Sequence, residues 1–326
     1  MTQLIDPYNR HLNYLRISVT DRCNLRCVYC MPPGGCVPKL PHREILRYEE
    51  ILRIVRAGAG LGITKVRVTG GEPLIRKGIA RFLQALSSIP GISDIALTTN
   101  AVMLRDRLDE IRSAGIRRLN ISLDTLDPEK YARITGRDAF HPVWEGIQSA
   151  LAAGFSPIKI NVVAIQGVND DELADLARLT LDLPLHVRFI EYMPMGEGPL
   201  EVAAPLLGDD ILERVGAVGT LMPVARGEQD GPAVRYRFKG AAGEVGLIRP
   251  MSHHFCGACN RLRLTASGHL RPCLLSDRQA DVKGPLRAGC TDAELAGIFL
   301  DAIRFKPMAH GLHEKGVKGR MSAIGG

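Results

Sequence analysis

The sequence predicts an α/β protein: an incomplete (β/α)6 TIM-like barrel, with a C-terminal, mainly β extension closing the barrel mouth. Three observations predict it. Short β-branched runs alternate with amphipathic helical patterns from Tyr14 to Ile190. The alternation carries no clear dinucleotide-binding fingerprint, which favours a barrel over a doubly wound sheet. After Met195 the rhythm gives way to short strand-like pieces divided by turn signals. The chain therefore divides into residues 1–200 and 201–326.

Strands are expected at Tyr14–Val19, Thr64–Val68, Ile95–Thr99, Arg118–Leu123, Ile158–Ala164 and His186–Ile190. Helices are expected between them. Tyr48–Gly60 carries Ile51, Leu52, Ile54 and Val55 at helical spacing and ends in Gly. Gly78–Ser88, Leu104–Ala114, Pro142–Ala153 and Asp171–Leu181 read the same way, with Gly115 and Gly154 as C-caps. In the second region, strand-like pieces fall at Gly219–Val224, Ala233–Phe238, Val245–Ile248, Arg261–Thr265 and His269–Cys273, and a helix at Asp292–Ile303. The stretch Gly196–Pro205 is rich in Gly, Pro and small residues, and the tail Gly311–Gly326 reads as flexible.

Composition bounds the function classes. Of 326 residues, 45% are apolar and 24% charged, ordinary globular values that exclude a disordered chain, a collagen and a disulfide miniprotein. At this length about 75% of the unfolded surface is buried on folding, so no disulfide framework is needed. No run of about 18 uncharged apolar residues occurs, and no basic stretch leads into an apolar core at the start, so neither a membrane span nor a signal peptide is expected. The expected compartment is the cytoplasm. Net charge is +7, and Arg outnumbers Lys by 32 to 10. Arg suits bidentate contacts to phosphate or carboxylate, although codon bias in a GC-rich genome gives the same excess. Aromatic residues are only 5%, too few to suggest a base-stacking platform, and no nucleic-acid partner is expected.

Six of the eight cysteines fall into two tight groups near opposite ends of the sequence. In a cytosolic chain, clustered cysteines indicate metal binding or catalysis. Cys23, Cys27 and Cys30 form a Cys-x3-Cys-x2-Cys loop directly after the first strand, where barrel sites form. Cys256, Cys259 and Cys273 have the spacing Cys-x2-Cys-x13-Cys. Three close thiolates suit a soft metal centre. One reading is a structural zinc, which takes four ligands; Cys36 or His42 could complete the first group, and His253, His254 or Cys290 the second. The other is an iron–sulfur cluster on three cysteines, with one iron open to a small molecule. Arg261 and Arg263 alternate on a strand-like run and so share a face. With Asn260 and Arg271 they set cations beside the second group, as a phosphate pocket requires; solvated charge on an exposed strand is the plainer alternative.

The first cysteine loop, with Tyr29 between its last two cysteines and Thr69-Gly70-Gly71-Glu72-Pro73 after the second strand, resembles the signature of the radical S-adenosylmethionine (SAM) family. Glycines in such a motif let backbone approach a ligand closely. Together with Phe255-Cys256-x2-Cys259-Asn260-Arg261-x-Arg263-Leu264-Thr265 and a terminal Gly325-Gly326, it resembles the GTP 3′,8-cyclase family of molybdenum cofactor biosynthesis, over Leu12 to Gly326.

The resemblance implies a lyase with two [4Fe-4S] clusters and SAM as cofactors and GTP as substrate. Cys23, Cys27 and Cys30 would ligate a first cluster that passes an electron to SAM. Cys256, Cys259 and Cys273 would ligate a second, holding the guanine through its open iron. A 5′-deoxyadenosyl radical would take the 3′ hydrogen of GTP, and the sugar radical would close on C8 of guanine. The product implied is (8S)-3′,8-cyclo-7,8-dihydroguanosine 5′-triphosphate. The resemblance assigns SAM to Tyr29, Gly70, Gly71, Ser122 and Met193. It assigns GTP to Arg16, Arg67, Thr98, Lys159, Arg188, Arg261, Leu262 and Arg263, with Arg16, Arg67, Gly325 and Gly326 as catalytic positions. A reductant and, downstream, cyclic pyranopterin monophosphate synthase are the implied partners, and a homodimer is compatible with it.

Arg16 and Arg67 alternate with apolar neighbours on the first two strands. A charge pointing inward is costly unless paired. A triphosphate would pair them, and so would Asp124 or Glu191. Two features depart from the family pattern: Ala101 follows Thr98-Thr99-Asn100 where Gly is common, and Cys36 and Cys290 lie outside the motifs. Competing readings are a peptide-modifying radical SAM maturase, a class with more auxiliary cysteines, and a zinc module that binds RNA.

Overall fold

The strands of the first half alternate an apolar and a polar face, and the way they pair puts all the polar faces on one side. The protein is described from a computed structural model covering residues 3–30, 39–195, 200, 202, 204–225, 227, 231–310, 317 and 321–325. Six strands come first: β1 (Tyr14–Ser18), β2 (Lys65–Thr69), β3 (Asp94–Thr99), β4 (Arg118–Ser122), β5 (Ile158–Ala164) and β6 (Leu185–Glu191). They pair in sequence order, all parallel. The connections hold α1 (Tyr48–Gly60), α2 (Ile79–Ser87), α3 (Leu108–Ser113), α4 (Pro128–Thr135), α5 (Phe140–Ala152) and α6 (Leu173–Asp182). Parallel pairing demands such crossovers, because a hairpin cannot return the chain to the same end of the sheet.

The rest of the chain supplies α7 (Gly208–Gly216), β7 (Leu221–Pro223), β8 (Val234–Phe238), β9 (Glu244–Ile248), β10 (Arg261–Leu264), β11 (His269–Arg271), β12 (Ala280–Asp281), α8 (Lys283–Arg287), α9 (Asp292–Arg304) and α10 (Met321–Ile324). Its strands join both edges of the first sheet. β9 pairs parallel with β6 and continues antiparallel to β8 and β7. β10 pairs parallel with β1 and continues antiparallel to β11 and β12. The result is one twelve-stranded mixed sheet, ordered β12-β11-β10-β1-β2-β3-β4-β5-β6-β9-β8-β7.

The apolar face meets the helices. Leu15, Ile17, Val66, Val68, Leu97, Leu119, Ile121, Ile158, Ile160 and Val187 are fully buried there, with Ile51, Ile54 and Val55 of α1 and Phe299 of α9. Each such side chain stabilises the fold by about 1.5–3 kcal/mol. The start of α9 is fixed by a capping box. The Thr291 hydroxyl accepts from the Glu294 N–H (3.2 Å), and the Glu294 carboxylate accepts from the Thr291 N–H (2.7 Å).

The six expected strands of the first half match to within a residue at each end, and α1 matches at both ends. The helix expected at Leu104–Ala114 is split, a 3-10 turn at Arg105–Arg107 preceding α3. Four helices were not expected: α4, α7, α8 and α10. They are short, and α4 buries only Tyr131, Ile134 and Thr135, too few positions for a periodicity to register. The stretch Gly196–Pro205 and the tail Gly311–Gly326 lie mostly outside the described residues, as does Cys36.

Candidate active site

Opposite the helices, the polar face of the sheet lines a cavity of ≈ 350 Å³, within the range of small-molecule sites. Alternation decides which side chains reach it. Tyr14 and Arg16 of β1, Lys65 and Arg67 of β2, Ala96 and Thr98 of β3, Asn120 and Ser122 of β4, Lys159 and Asn161 of β5, Arg188 of β6, and Arg261 and Arg263 of β10 all line it. Both cysteine triads stand on its wall.

The first triad occupies the loop leaving β1. That loop is held by backbone on two sides. Gly71 N–H donates to Thr20 O (2.6 Å) and Glu72 N–H to Arg22 O (2.7 Å). Arg26 N–H donates to Thr135 O (2.8 Å) and Val28 N–H to Ile134 O (2.9 Å) at the end of α4. Gly71 is required here, because a Cβ would stand 2.2 Å from Arg22 O. Glu72, 1% exposed, accepts from the N–H groups of Leu74 and Asn100 and from the Thr99 hydroxyl, and burial raises it to about 7. Neutral donors reach the Cys23 sulfur: Leu25 N–H (3.4 Å) and the Asn100 amide (3.7 Å). Burial raises the Cys23 thiol, and burial with Cys30 and Asp124 nearby raises Cys27 further. Tyr29 donates its hydroxyl to Asp124 (2.7 Å), whose carboxyl burial lifts to about 6.

The second triad is assembled from separate pieces. Cys256 and Cys259 bound a single 3-10 turn, and Cys273 follows β11. Burial alone would raise Cys259, but Lys306 and Arg261 hold it below the usual thiol range. Among the described residues no three His, Cys, Asp or Glu side chains stand close enough to share one metal ion. Three thiols on the wall of one cavity match the donor set of an iron–sulfur cluster with one open iron.

Between the triads lies a band of buried cations. Strand register puts Arg263, Arg16 and Arg67 side by side across β10, β1 and β2. Like charges directly opposite one another on a sheet are destabilising. Burial, then Arg263 and Arg67, drives Arg16 well below its ordinary value. Burial and Arg261 lower Arg263 to about 10, and burial and Arg67 lower Arg188 to about 9. Lys159 is pulled to about 7 by burial and by Arg188, Arg118, Arg67 and Lys65. The carboxylates that could have paired them are engaged elsewhere: Asp124 with Tyr29 and Val163 N–H, Glu191 with the N–H groups of Gly208, Met251 and Ser252. Arg67 Nε, Thr98 Oγ1 and Arg188 Nε are buried with no hydrogen-bond partner among the described residues.

Comparison with known proteins agrees with this architecture. Residues 17–180 match the radical SAM superfamily, and residues 185–312 match the family described as Molybdenum Cofactor Synthesis C. The chain is 52% identical over 325 residues to the GTP 3′,8-cyclase of Pelotomaculum thermopropionicum, covering 98% of this chain and 99% of that protein. It is 49% identical over 322 residues to the GTP 3′,8-cyclase of Moorella thermoacetica, with the same coverage. The chain belongs to the GTP 3′,8-cyclase family. A crystal structure of Streptococcus suis SuiB bound to S-adenosylmethionine superposes with a TM-score of 0.62 at 17% identity, covering 90% of this chain and 69% of that one, a likeness of fold alone.

Of the residues singled out from sequence, all six triad cysteines line the cavity, with Tyr29, Gly70, Gly71 and Ser122 on the first triad's loops and strand ends, Met193 in the small apolar cluster that also holds Cys273, and Arg16, Arg67, Thr98, Lys159, Arg188, Arg261 and Arg263 on the strands. Leu262 does not line it: it alternates with its two Arg neighbours and is fully buried in the core, so its side chain cannot reach a ligand there. Gly325 packs beside the cavity, its carbonyl accepting from Arg263; a Cβ there would stand 2.7 Å from Thr69 Cγ2. Gly326 lies outside the described residues. Cys290 sits away from both triads, packed against the core. Sequence reasoning missed Asn120 and Asn161, whose side-chain oxygens accept from Arg188 (2.7 and 2.5 Å), and also Arg10 and Lys306 behind the second triad. Lone basic residues look like surface charge in a sequence, so no signal marked them.

Proposed function

We propose that this chain converts GTP to (8S)-3′,8-cyclo-7,8-dihydroguanosine 5′-triphosphate, the radical SAM step early in molybdenum cofactor biosynthesis. One observation carries the reading: two cysteine triads and a band of buried, mutually repelling cations share one cavity. Family membership and the match to Molybdenum Cofactor Synthesis C support the same chemistry.

The residues fit the groups this activity requires. Cys23, Cys27 and Cys30 would hold a [4Fe-4S] cluster, and Cys256, Cys259 and Cys273 another, leaving in each case one iron without a protein ligand. Bound there with SAM, the first cluster supplies the one-electron chemistry that abstracts hydrogen from an unactivated sugar carbon. Gly70 and Gly71 let the Gly-Gly-Glu turn pack directly against Thr20 and Arg22 of the cysteine loop, beside which the methionine end would bind, and Tyr29, its hydroxyl tied to Asp124, offers a fixed wall for adenine. Ser122 and Met193, at the ends of β4 and β6, would complete the SAM site. Arg16, Arg67, Arg261, Arg263, Lys159 and Arg188 would receive the triphosphate and base, with Thr98 Oγ1 as a further donor. A triphosphate offsets the repulsion among these cations, so the buried charge that weakens the empty fold becomes binding energy. Arg263 and Gly325, joined by a hydrogen bond, would close the site near the substrate.

The sheet reads as an incomplete (β/α)6 barrel whose C-terminal strands extend it at both edges, supported by lining residues contributed from β10 and from β1 through β6. In function the chain divides near residue 200, with SAM chemistry before it and the second cluster, with the GTP-binding elements Arg261 and Arg263, after it. The reading further implies a cytoplasmic enzyme fed by a low-potential reductant and a product passed to cyclic pyranopterin monophosphate synthase, and it is compatible with a homodimer. Among the described residues no helix is long and apolar enough to cross a membrane.

The test is direct. Anaerobically reconstituted protein is mixed with GTP, SAM and a reductant, and 5′-deoxyadenosine is measured. GTP-dependent cleavage is expected; cleavage no greater than in a GTP-free control refutes the proposal.

A further inference from the structure

The second triad stands against two buried cations that belong to neither its loop nor the substrate wall. Lys306, just past the end of α9, is 3% exposed. Its ammonium donates to Arg261 O (2.8 Å) and Pro272 O (2.6 Å) and points its third bond at Cys259 Sγ (3.5 Å). An ammonium has three donors, and all three are used. Arg261 opens β10 two residues after Cys259, and Pro272 directly precedes Cys273. One side chain therefore ties together the two strand ends that carry two of the three cysteines. Arg10, 7% exposed, completes the grip: it donates to Cys256 O (2.7 Å), Met308 O (3.2 Å) and Pro307 O (2.8 Å), with Asp6 as its counterion (2.6 Å).

We infer that Lys306 is a positioning residue of the second cysteine triad, and that its charge raises the reduction potential of the cluster held there. The inference rests on the reading of that triad as a cluster site. A buried charge is costly unless an anion offsets it. None of the three hydrogen-bond partners of Lys306 is a carboxylate; two are carbonyls and the third is a cysteine sulfur. The thiolate sulfurs are the anion this ammonium faces. A cation against a ligand sulfur stabilises the reduced cluster, which carries one more negative charge, and so raises its potential. At the first triad, by contrast, the donors to Cys23 are a backbone N–H and an amide, both neutral. The same ammonium, bonded to the carbonyls that flank two cysteines, holds the sulfurs at the spacing of the cluster.

Lys306→Met and Lys306→Gln decide it, both read on anaerobically reconstituted full-length protein without turnover. Iron and sulfide are counted per chain, and the two clusters are titrated separately by electron paramagnetic resonance. Wild type should carry about eight irons per chain. In Lys306→Gln, which keeps donors but loses the charge, the second cluster should titrate at a more negative potential while the first is unmoved. In Lys306→Met that cluster should also be held poorly, iron falling toward about four per chain, and Lys306→Arg should recover both iron and potential. Unchanged second-cluster potential in Lys306→Gln overturns the inference, even if Lys306→Met fails to fold. About four irons in wild type would instead overturn the underlying reading of the triad.

Discussion

Cys23, Cys27 and Cys30 lie within eight residues of one loop, whereas Cys256, Cys259 and Cys273 span 18 residues and two structural pieces. The first loop is held by backbone hydrogen bonds to its neighbours in the sheet and to α4, and among the described residues Cys23 has Asn100 and Glu72 beside it and Cys27 has Asp124, groups that are neutral or acidic. The second is held by cations reaching in from both ends of the chain, Arg10 and Lys306, with Arg261 and Arg263 in front. The contrast teaches that two sites of the same ligand count can face opposite fields. Carboxylates make added negative charge unfavourable at the first triad, and cations make it favourable at the second. One end suits a strong electron donor and the other an anionic substrate.

The largest effect should come from breaking the first region alone. In Gly71→Ala the new Cβ meets backbone at 2.2 Å, so the cysteine loop must move. Activity should fall to background, stability should drop by about 1–3 kcal/mol, and iron at the second triad should survive. Iron analysis and chemical denaturation check it; a variant with both clusters and normal stability would show that the loop is not pinned there.

Removing Gly325 and Gly326 attacks the contact with Arg263 and spares both triads. Turnover should fall by up to about 100-fold, the cost of misplacing a reacting group, with both clusters intact. Full activity after truncation would remove the tail from the site.

Arg263→Ala tests the second region. GTP affinity should weaken by roughly 10- to 100-fold, the loss of charge-assisted hydrogen bonds, while the first cluster and SAM binding stay normal. Titration calorimetry with each ligand separates the two, and loss of both would make Arg263 architectural.

The mildest test lies between the regions. Lys159 is pulled to about 7 in the free protein, against about 10.4 in an unfolded chain. Between those values the unfolded chain binds more protons, so this group makes stability rise with pH from 7 to 10. A bound triphosphate would restore the proton. GTP binding should therefore take up a proton above pH 7, and affinity should fall by up to about tenfold per pH unit. Calorimetry in buffers of different ionisation enthalpy measures the uptake, and Lys159→Met should flatten both slopes. Uptake that persists in this variant would assign the proton elsewhere.

Much of this was legible before any coordinates. Alternating apolar runs placed β1 to β6, since the helix-facing side of each strand is apolar, mostly Leu, Ile or Val, to build the core. The first triad was legible because its ligands are neighbours in the chain and its Gly-Gly motif follows the next strand. Some things were not. α4 supports the first loop through Ile134 and Thr135, yet it buries too few residues to leave a periodic trace. Ala101 holds a left-handed backbone (φ 61°) where a Gly would rest at ease, and only the structure reveals that this position takes that conformation. Leu262 looked like part of a binding stretch, but alternation turns it away from the cavity.

By itself the sequence determined the order of strands and helices, the two groups of thiols and the family, because each is written in local spacing. Only the tertiary structure decided that β9 and β10 add to opposite edges of the sheet, that Arg263, Arg16 and Arg67 stand in one row, and that residues 10 and 306 meet behind the second triad. The physical reason is that register and edge pairing are long-range hydrogen-bond choices. They place charges from distant segments a few ångströms apart, and no local pattern records that distance.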